Sequence, residues 1–305
     1  MLRTFWLILF ALSIVPTVGF ARDVYVNNQI GDDRATGRYE QPRFGGEGPV
    51  SSLGRALAIA NRGDRIVMAD TGVPYREGVT LQAGRNSGEP DRPFVIEGNG
   101  ATLDGSEPVP PDAWEFWRGE VFRFQPRRFS HQQLFLDDRP LARRTLDANG
   151  GLPDLQPLEW CYIGRHIYFR PEPDRLPGSY ELMHASLPVG IGFYEVHDVV
   201  VNGLTVQGFQ LDGVNAHDSA FQIVLDDLVC RGNGRAGISV GGASRVTIRN
   251  CLVGNNGAAQ VRTEGYSRTR IIDSNLLDNT APAVVRDGGS VNIVPPADPA
   301  NGGAP

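Results

Sequence analysis

Groups able to hold charge or move a proton fall into one register in the C-terminal half of this 305-residue chain. The segments GVNAH (213–217), GISVG (237–241), QVRTE (260–264) and AVVRD (283–287) recur every 23 or 24 residues. Read as stacked parallel strands, they place Val214, Ile238, Val261 and Val284 in one inward row. Asn215, Ser239, Arg262 and Val285 then face outward, and a second outward row holds His217, Gly241, Glu264 and Asp287. Glu264 and Asp287 fall on adjacent strands, about 5 Å apart at the backbone. Arg262 is two residues along the same strand, and Gly241 leaves open floor between His217 and Glu264. Two carboxylates at that spacing repel, which raises one pKa and suits a general acid beside a nucleophile or base. An arginine beside them could bind a carboxylate bidentately. Arginine stays protonated at ordinary pH, so His217 is the easier candidate base. His217, Arg262, Glu264 and Asp287 are therefore the candidate catalytic set. The alternative is a solvated sheet face, where such neighbours are only surface ion pairs.

The elements that position these residues come from a repeat. Leu204, Leu228, Leu252 and Leu276 are spaced by 24, with Asn202, Asp226, Asn250 and Ser274 two residues before each. VVVNGLTV, QIVLDDLV, VTIRNCLV and RIIDSNLL read as short β-branched runs broken by a polar residue, with Gly-rich punctuation between them. Each unit amounts to about three short strands and three turns, too little to close its own core. Stacked units can share an interior, each coil bonding to the next at about 4.8 Å. A leucine-rich repeat would need helical spacing in the second half of each unit, and the Gly and β-branched content there opposes it. The periodic Asn/Asp/Ser suits a tight left-handed turn with hydrogen bonds to the copies above and below, so Asp226 reads as a ladder residue.

The period, that ladder and the GISV-type strands resemble the right-handed parallel β-helix superfamily, the pectate-lyase-like fold. DVYVNNQIGDD, SSLGRALAIANRGDRIVMADTGVPYREGVTL and DRPFVIEGNGATLDG resemble the opening of many secreted β-helix proteins. The resemblance implies an all-β, single-stranded right-handed parallel β-helix whose first coil is capped by a short amphipathic helix. Leu53, Leu57 and Ala60 give that helix its apolar side, with Ser51 or Ser52 as N-cap and Gly63 at the stop. Residues 106–188 break the period, and their Pro, Trp and alternating aromatic content predicts a small inserted antiparallel β module. The expected organisation is a signal peptide (1–21), a cap with the first coils (22–105), the insert (106–188), C-terminal coils (189–294) and a disordered tail (295–305).

Arg3, the apolar run Phe5–Val15, Pro16 and Gly19-Phe20-Ala21 form the expected signal peptide, cleaved before Arg22. No later stretch is long enough to span a bilayer, so an exported monomer without membrane insertion is expected. With 29 Lys+Arg against 35 Asp+Glu the net charge is −6, which disfavours nucleic acid as a partner. The chain contains no lysine, which excludes Schiff-base chemistry and a lysine base. Cys230 and Cys251 sit three strand positions apart in the repeat, on opposite faces, so no disulfide joins them and both read as apolar fillers. Asp212 and His217-Asp218 read as turn residues. No cofactor is required by any motif; Ca²⁺ is a possible ligand at Asp32-Asp33 with Gly31 and Thr36. Trp114, Trp117, Trp160 and Tyr162 could form a sugar-stacking platform, or simply the core of the insert. The resemblance implies a polysaccharide as partner, with lyase or glycosidase chemistry. Lyases of this fold commonly use a basic residue, often with Ca²⁺ neutralising a uronate. A non-catalytic glycan-binding or structural surface protein is the other expectation.

Overall fold

The computed structural model describes residues 21–128 and 130–294. All of the expected leader except Ala21, and the expected tail, lie outside the described residues. Outside residues 106–188 the chain is a parallel β-solenoid of stacked coils whose strands line three faces. The first face carries, in spatial order, Asp23–Val26, Arg65–Met68, Phe94–Glu97, His197–Asn202, Phe221–Asp226 and Arg245–Arg249. The second carries Val79–Gln82, Ile191–Tyr194, Asp212–Ala216 and Ala236–Val240. The third carries Thr102–Asp104, Thr205–Gln207, Val229–Arg231, Leu252–Gly254 and Asn275–Leu276. The long strands Ala259–Ile272 and Val284–Val294 extend both the first and second faces, with a register break between Gly265 and Arg268.

Alternation explains the interior. Ile191, Val214, Ile238 and Val261 are all fully buried and stand in register with one another and with Val284. On the first face Ile96, Val201, Leu225 and Ile248 make the equivalent row. Each row stacks apolar side chains at the interstrand spacing, so burial of one coil depends on its neighbours.

The repeat is not a constant 24. Thr205 pairs with Val229, 24 residues on, but Val229 pairs with Leu252 and Leu252 with Asn275, each 23 on. Leu204 and Leu228 therefore point into the core, whereas Leu252 is 40% exposed and the fully interior place passes to Cys251. The same slip displaces the expected ladder. The left-handed turn residues are Gly203, Asp227, Asn250 and Asp273, each one past the end of its first-face strand. Of the expected set, Asn250 alone occupies the turn. Asp226 does take part in stacking, accepting from Asn250 Nδ2 at 2.9 Å, and Asn202 Nδ2 donates to Glu97 Oε1 at 2.7 Å. Both cysteines face inward because Cys230 pairs with Val253, which leaves Cys251 two strand positions away, not three, and on the same side; neither is in a disulfide.

A second ladder, missed in the sequence, runs through buried Asn233 and Asn256. Asn256 Oδ1 accepts from Asn233 N (2.9 Å) and Nδ2 (3.1 Å), while Asn256 Nδ2 donates to Cys230 O and Gln260 Oε1. Its sequence trace is Asn233, Asn256 and Asn279 at a period of 23.

The helix Leu53–Ile59 has Ser52 as N-cap, whose Oγ accepts from Arg55 N. It comes just before Arg65–Met68 in the chain and packs near Val79–Gln82, in the position of a second-face strand. Leu53, Ala56 and Leu57 enter the core. Residues 106–188 form two four-stranded antiparallel sheets around Phe124, Leu134, Trp160 and Phe169, a core separate from that of the solenoid. The insert sits on the turns leading from the third face to the second. There Gly232, at φ +63°, leaves room for Phe135 and Pro140: a Cβ would come within 2.8 Å of both.

Candidate functional site

The outer face of the second sheet is built as the alternation requires. Gly192, Asn215, Ser239 and Arg262 are neighbours in successive strands, and Glu264 pairs with Asp287. His217, Arg262, Glu264 and Asp287 do come together. Arg262 Nε donates to Glu264 Oε1 at 2.5 Å, and Arg262 Nη2 lies 2.6 Å from Asp287 Oδ2. His217 Nε2 lies 3.9 Å from Glu264 Oε2 and 3.4 Å from Ser239 Oγ.

Two expectations about this row are corrected. Gly241 is not open floor. The His217 imidazole lies over it, its nearest ring atoms 2.3 and 2.4 Å from where a Cβ would stand, which is how the ring reaches a carboxylate two strands away. Nor is Glu264 a raised-pKa acid. The hydrogen bond from Arg262 holds its carboxyl below the ordinary value of 4.5, with the charges of Arg262, His217 and Arg235 acting in the same sense and partial desolvation opposing them. A shared guanidinium outweighs the repulsion between the two carboxylates. Glu264 is thus an ionised acceptor, suited to act as a base or nucleophile.

The sequence under-read the flank of this row. Asp212 is a strand residue, fully buried, and not a loop-end turn. Arg235 grips it with Nε to Oδ1 at 2.9 Å and Nη2 to Oδ2 at 2.5 Å, and Asn215 Nδ2 donates to Oδ2 at 2.7 Å. The available signal was the 23-residue interval from Asp212 to Arg235, which places them on neighbouring coils. His131, from the insert, stands against the same turn; its Cβ would be 2.7 Å from a Cβ at Gly234. Desolvation, then the cations of Arg235, Arg143 and Arg262, hold His131 below the usual histidine pKa, so its ring is neutral at pH 7. No repeat could have placed a residue of the insert here.

The remaining candidates have partners of their own. Asp33 accepts from Ser51 N, Ser52 N and Ser52 Oγ, and Asp32 is bonded to Arg34. Among the described residues no cluster of three or more His, Cys, Asp or Glu is arranged to hold a metal ion. Trp160 is fully buried with Nε1 donating to Leu141 O, and Trp114 packs on Phe124 and Phe169. Trp117 is the exposed tryptophan of the expected platform, set edge-on to Tyr168 beneath Arg123. The four aromatics form no single platform.

Residues 189–294 match the family model described as a right handed beta helix region. This part of the chain is a right-handed β-helix. The candidate row lies wholly within the β-helix region, while His131 comes from outside it. A solved structure described as a glycoside hydrolase is similar over 83% of this chain and 73% of its own, at a TM-score of 0.58 and 12% identity. A second, described as a complex of XylC with xylose, covers 89% of this chain and 70% of its own, at a TM-score of 0.42 and 11% identity. At 12% identity the likeness to the first is one of fold. No curated protein matches the chain.

Proposed function

We propose that the chain binds a polysaccharide along the outer face of the second sheet and cleaves it at the His217–Arg262–Glu264–Asp287 row. The observation that carries this reading is the pair of carboxylates on adjacent strands, bridged by one arginine, one of them held ionised. Paired carboxylates are the usual machinery of glycoside hydrolysis, where an ionised one acts as base or nucleophile. The six second-face strand positions from Val79–Gln82 to Val284–Val294 span about 24 Å, room for several sugar units. The fold likeness to a glycoside hydrolase is consistent with this.

Hydrolysis of a neutral linkage fits better than uronate elimination. Arg262 already serves two carboxylates, so it is not free to neutralise a uronate, and the row is left with excess negative charge. The chain is proposed to act after export, with Arg22 as its first residue. A non-catalytic glycan-binding role is the second reading, favoured by the same saturation: each acid of the row already has a partner.

The test uses protein beginning at Arg22 on a panel of neutral and acidic polysaccharides, with and without Ca²⁺. New reducing ends without ultraviolet absorbance from unsaturated uronides, lost in Glu264→Gln, are expected. Absorbance from unsaturated products would replace hydrolysis with elimination. Binding without cleavage of any substrate would leave the glycan-binding role.

A further inference from the structure

Where the insert meets the last coils there is a cavity of about 300 Å³ that the row does not use. Arg143, Arg144 and Tyr162 line it from the insert, and Asn256, Gly257 and Thr280 from the solenoid turns. Arg143 is its unusual member. Its guanidinium is half-buried, lies 5.5 Å over the Trp160 ring and packs on the backbone at Gly257. Among the described residues no carboxylate pairs with it, whereas Arg235 has Asp212, Arg170 has Glu120, and neighbouring Arg144 has Glu159. Burial pushes the Arg143 guanidinium down from its ordinary value. A partly desolvated cation without a counter-ion is stabilised by an anion that reaches it, and an aromatic face does not supply net negative charge.

The geometry points to this cavity as a subsite for the carboxylate of an acidic sugar, gripped by Arg143 with Tyr162 as hydroxyl partner; the Thr280 hydroxyl on its wall already donates to Asn256 O. The planar fork of arginine suits a carboxylate, and the volume accommodates one sugar ring. The cavity's Asn256 and Gly257 stand just before Ala259–Ile272, the strand that carries Arg262 and Glu264 of the proposed reaction centre. The inference rests on the polysaccharide reading and refines it: the substrate carries acidic side groups on a chain whose scissile linkage is neutral.

The whole protein from Arg22 is titrated with glucuronate, with glucose as the neutral match and acetate as the bare anion, by saturation-transfer NMR. Glucuronate is expected to bind about tenfold or more tightly than either. Arg143→Gln is expected to abolish that preference and Arg143→Lys to retain part of it, with unliganded thermal unfolding as the control for folding. Should Arg143→Gln not fold, Tyr162→Phe weakens glucuronate without altering glucose. Equal affinity for glucuronate and glucose, or glucuronate binding unchanged in the variants, overturns the subsite. Acetate binding as tightly as glucuronate overturns the sugar assignment. Glu264→Gln leaves glucuronate binding intact, so loss of cleavage and loss of the subsite are separable.

Discussion

Arg262 is the residue on which the row turns. It donates to Glu264 and reaches Asp287, and its hydrogen bond is the largest reason that the Glu264 carboxyl lies below 4.5. If Glu264 is the base, kcat/KM falls on the acid side only below 4.5, where that carboxyl takes up its proton. Arg262→Met is expected to shift this limb to higher pH, because the principal stabiliser of the anion is gone; an unmoved limb would assign the titration to another group. The stability effect has a definite sign. A carboxyl whose folded pKa is depressed stabilises the fold above its unfolded pKa, and that contribution is lost as pH falls through the folded value. Glu264→Gln should therefore flatten the acid side of the stability profile. The positions of His217 and Asp287 were legible as register positions, since alternation and the repeat place them outward. The imidazole over Gly241 was not, because a rotamer depends on the missing Cβ of a residue 24 positions away.

At the level of elements, a buried asparagine ladder braces the turns from the third face to the second. The inner ladder satisfies backbone groups that a buried turn would otherwise leave unpaired. Asn256 takes Asn233 N on its Oδ1 and returns Nδ2 to Cys230 O, with all polar atoms out of water. Asn256→Ala strips these partners without relieving the burial, and is expected to destabilise the protein by about 3 kcal/mol, read by urea unfolding. Asn256→Asp is expected to be no better, since it brings a charge into the same site. A loss under about 0.5 kcal/mol, the scale of a surface substitution, would mean that the turn relaxes onto other partners. This ladder could have been found from Asn233, Asn256 and Asn279. A period of 24 conceals it, because one residue is dropped between Ala216↔Val240, which are 24 apart, and Ile223↔Val246, which are 23 apart.

For the whole molecule, stability is distributed along an axis. Coils in the middle are buried between two neighbours, as with the fully interior Val201, Leu225 and Ile248. Val284–Val294 lies at the C-terminal end and contains no buried residue. In a stack held by nearest-neighbour contacts, the ends open before the middle. Hydrogen exchange followed by mass spectrometry is expected to find amides of Phe221–Asp226 and Arg245–Arg249 the slowest, with Val284–Val294 faster by about tenfold or more. Uniform protection along the axis would mean that the solenoid opens as one unit. The insert has its own apolar core around Trp160 and Phe169, so its protection is expected to follow a separate transition.

The division between chain and fold follows from the range of the forces. Alternating burial along a strand and recurrence every 23 or 24 residues are written in neighbouring residues, and together they specify a stack of coils and which side chains face out. The helix start at Ser52 is equally local, set by its own hydroxyl. Three things required the folded molecule. A single-residue slip, already present where Ile223 pairs with Val246, exchanged Leu252 for Cys251 in the interior, because strand pairing and not a fixed repeat length sets the register. Burial turned Asp212 from an apparent loop end into the partner of Arg235. And the insert carried His131 to the flank of the row and Arg143 over the last turns, contacts between segments whose separation no local pattern encodes.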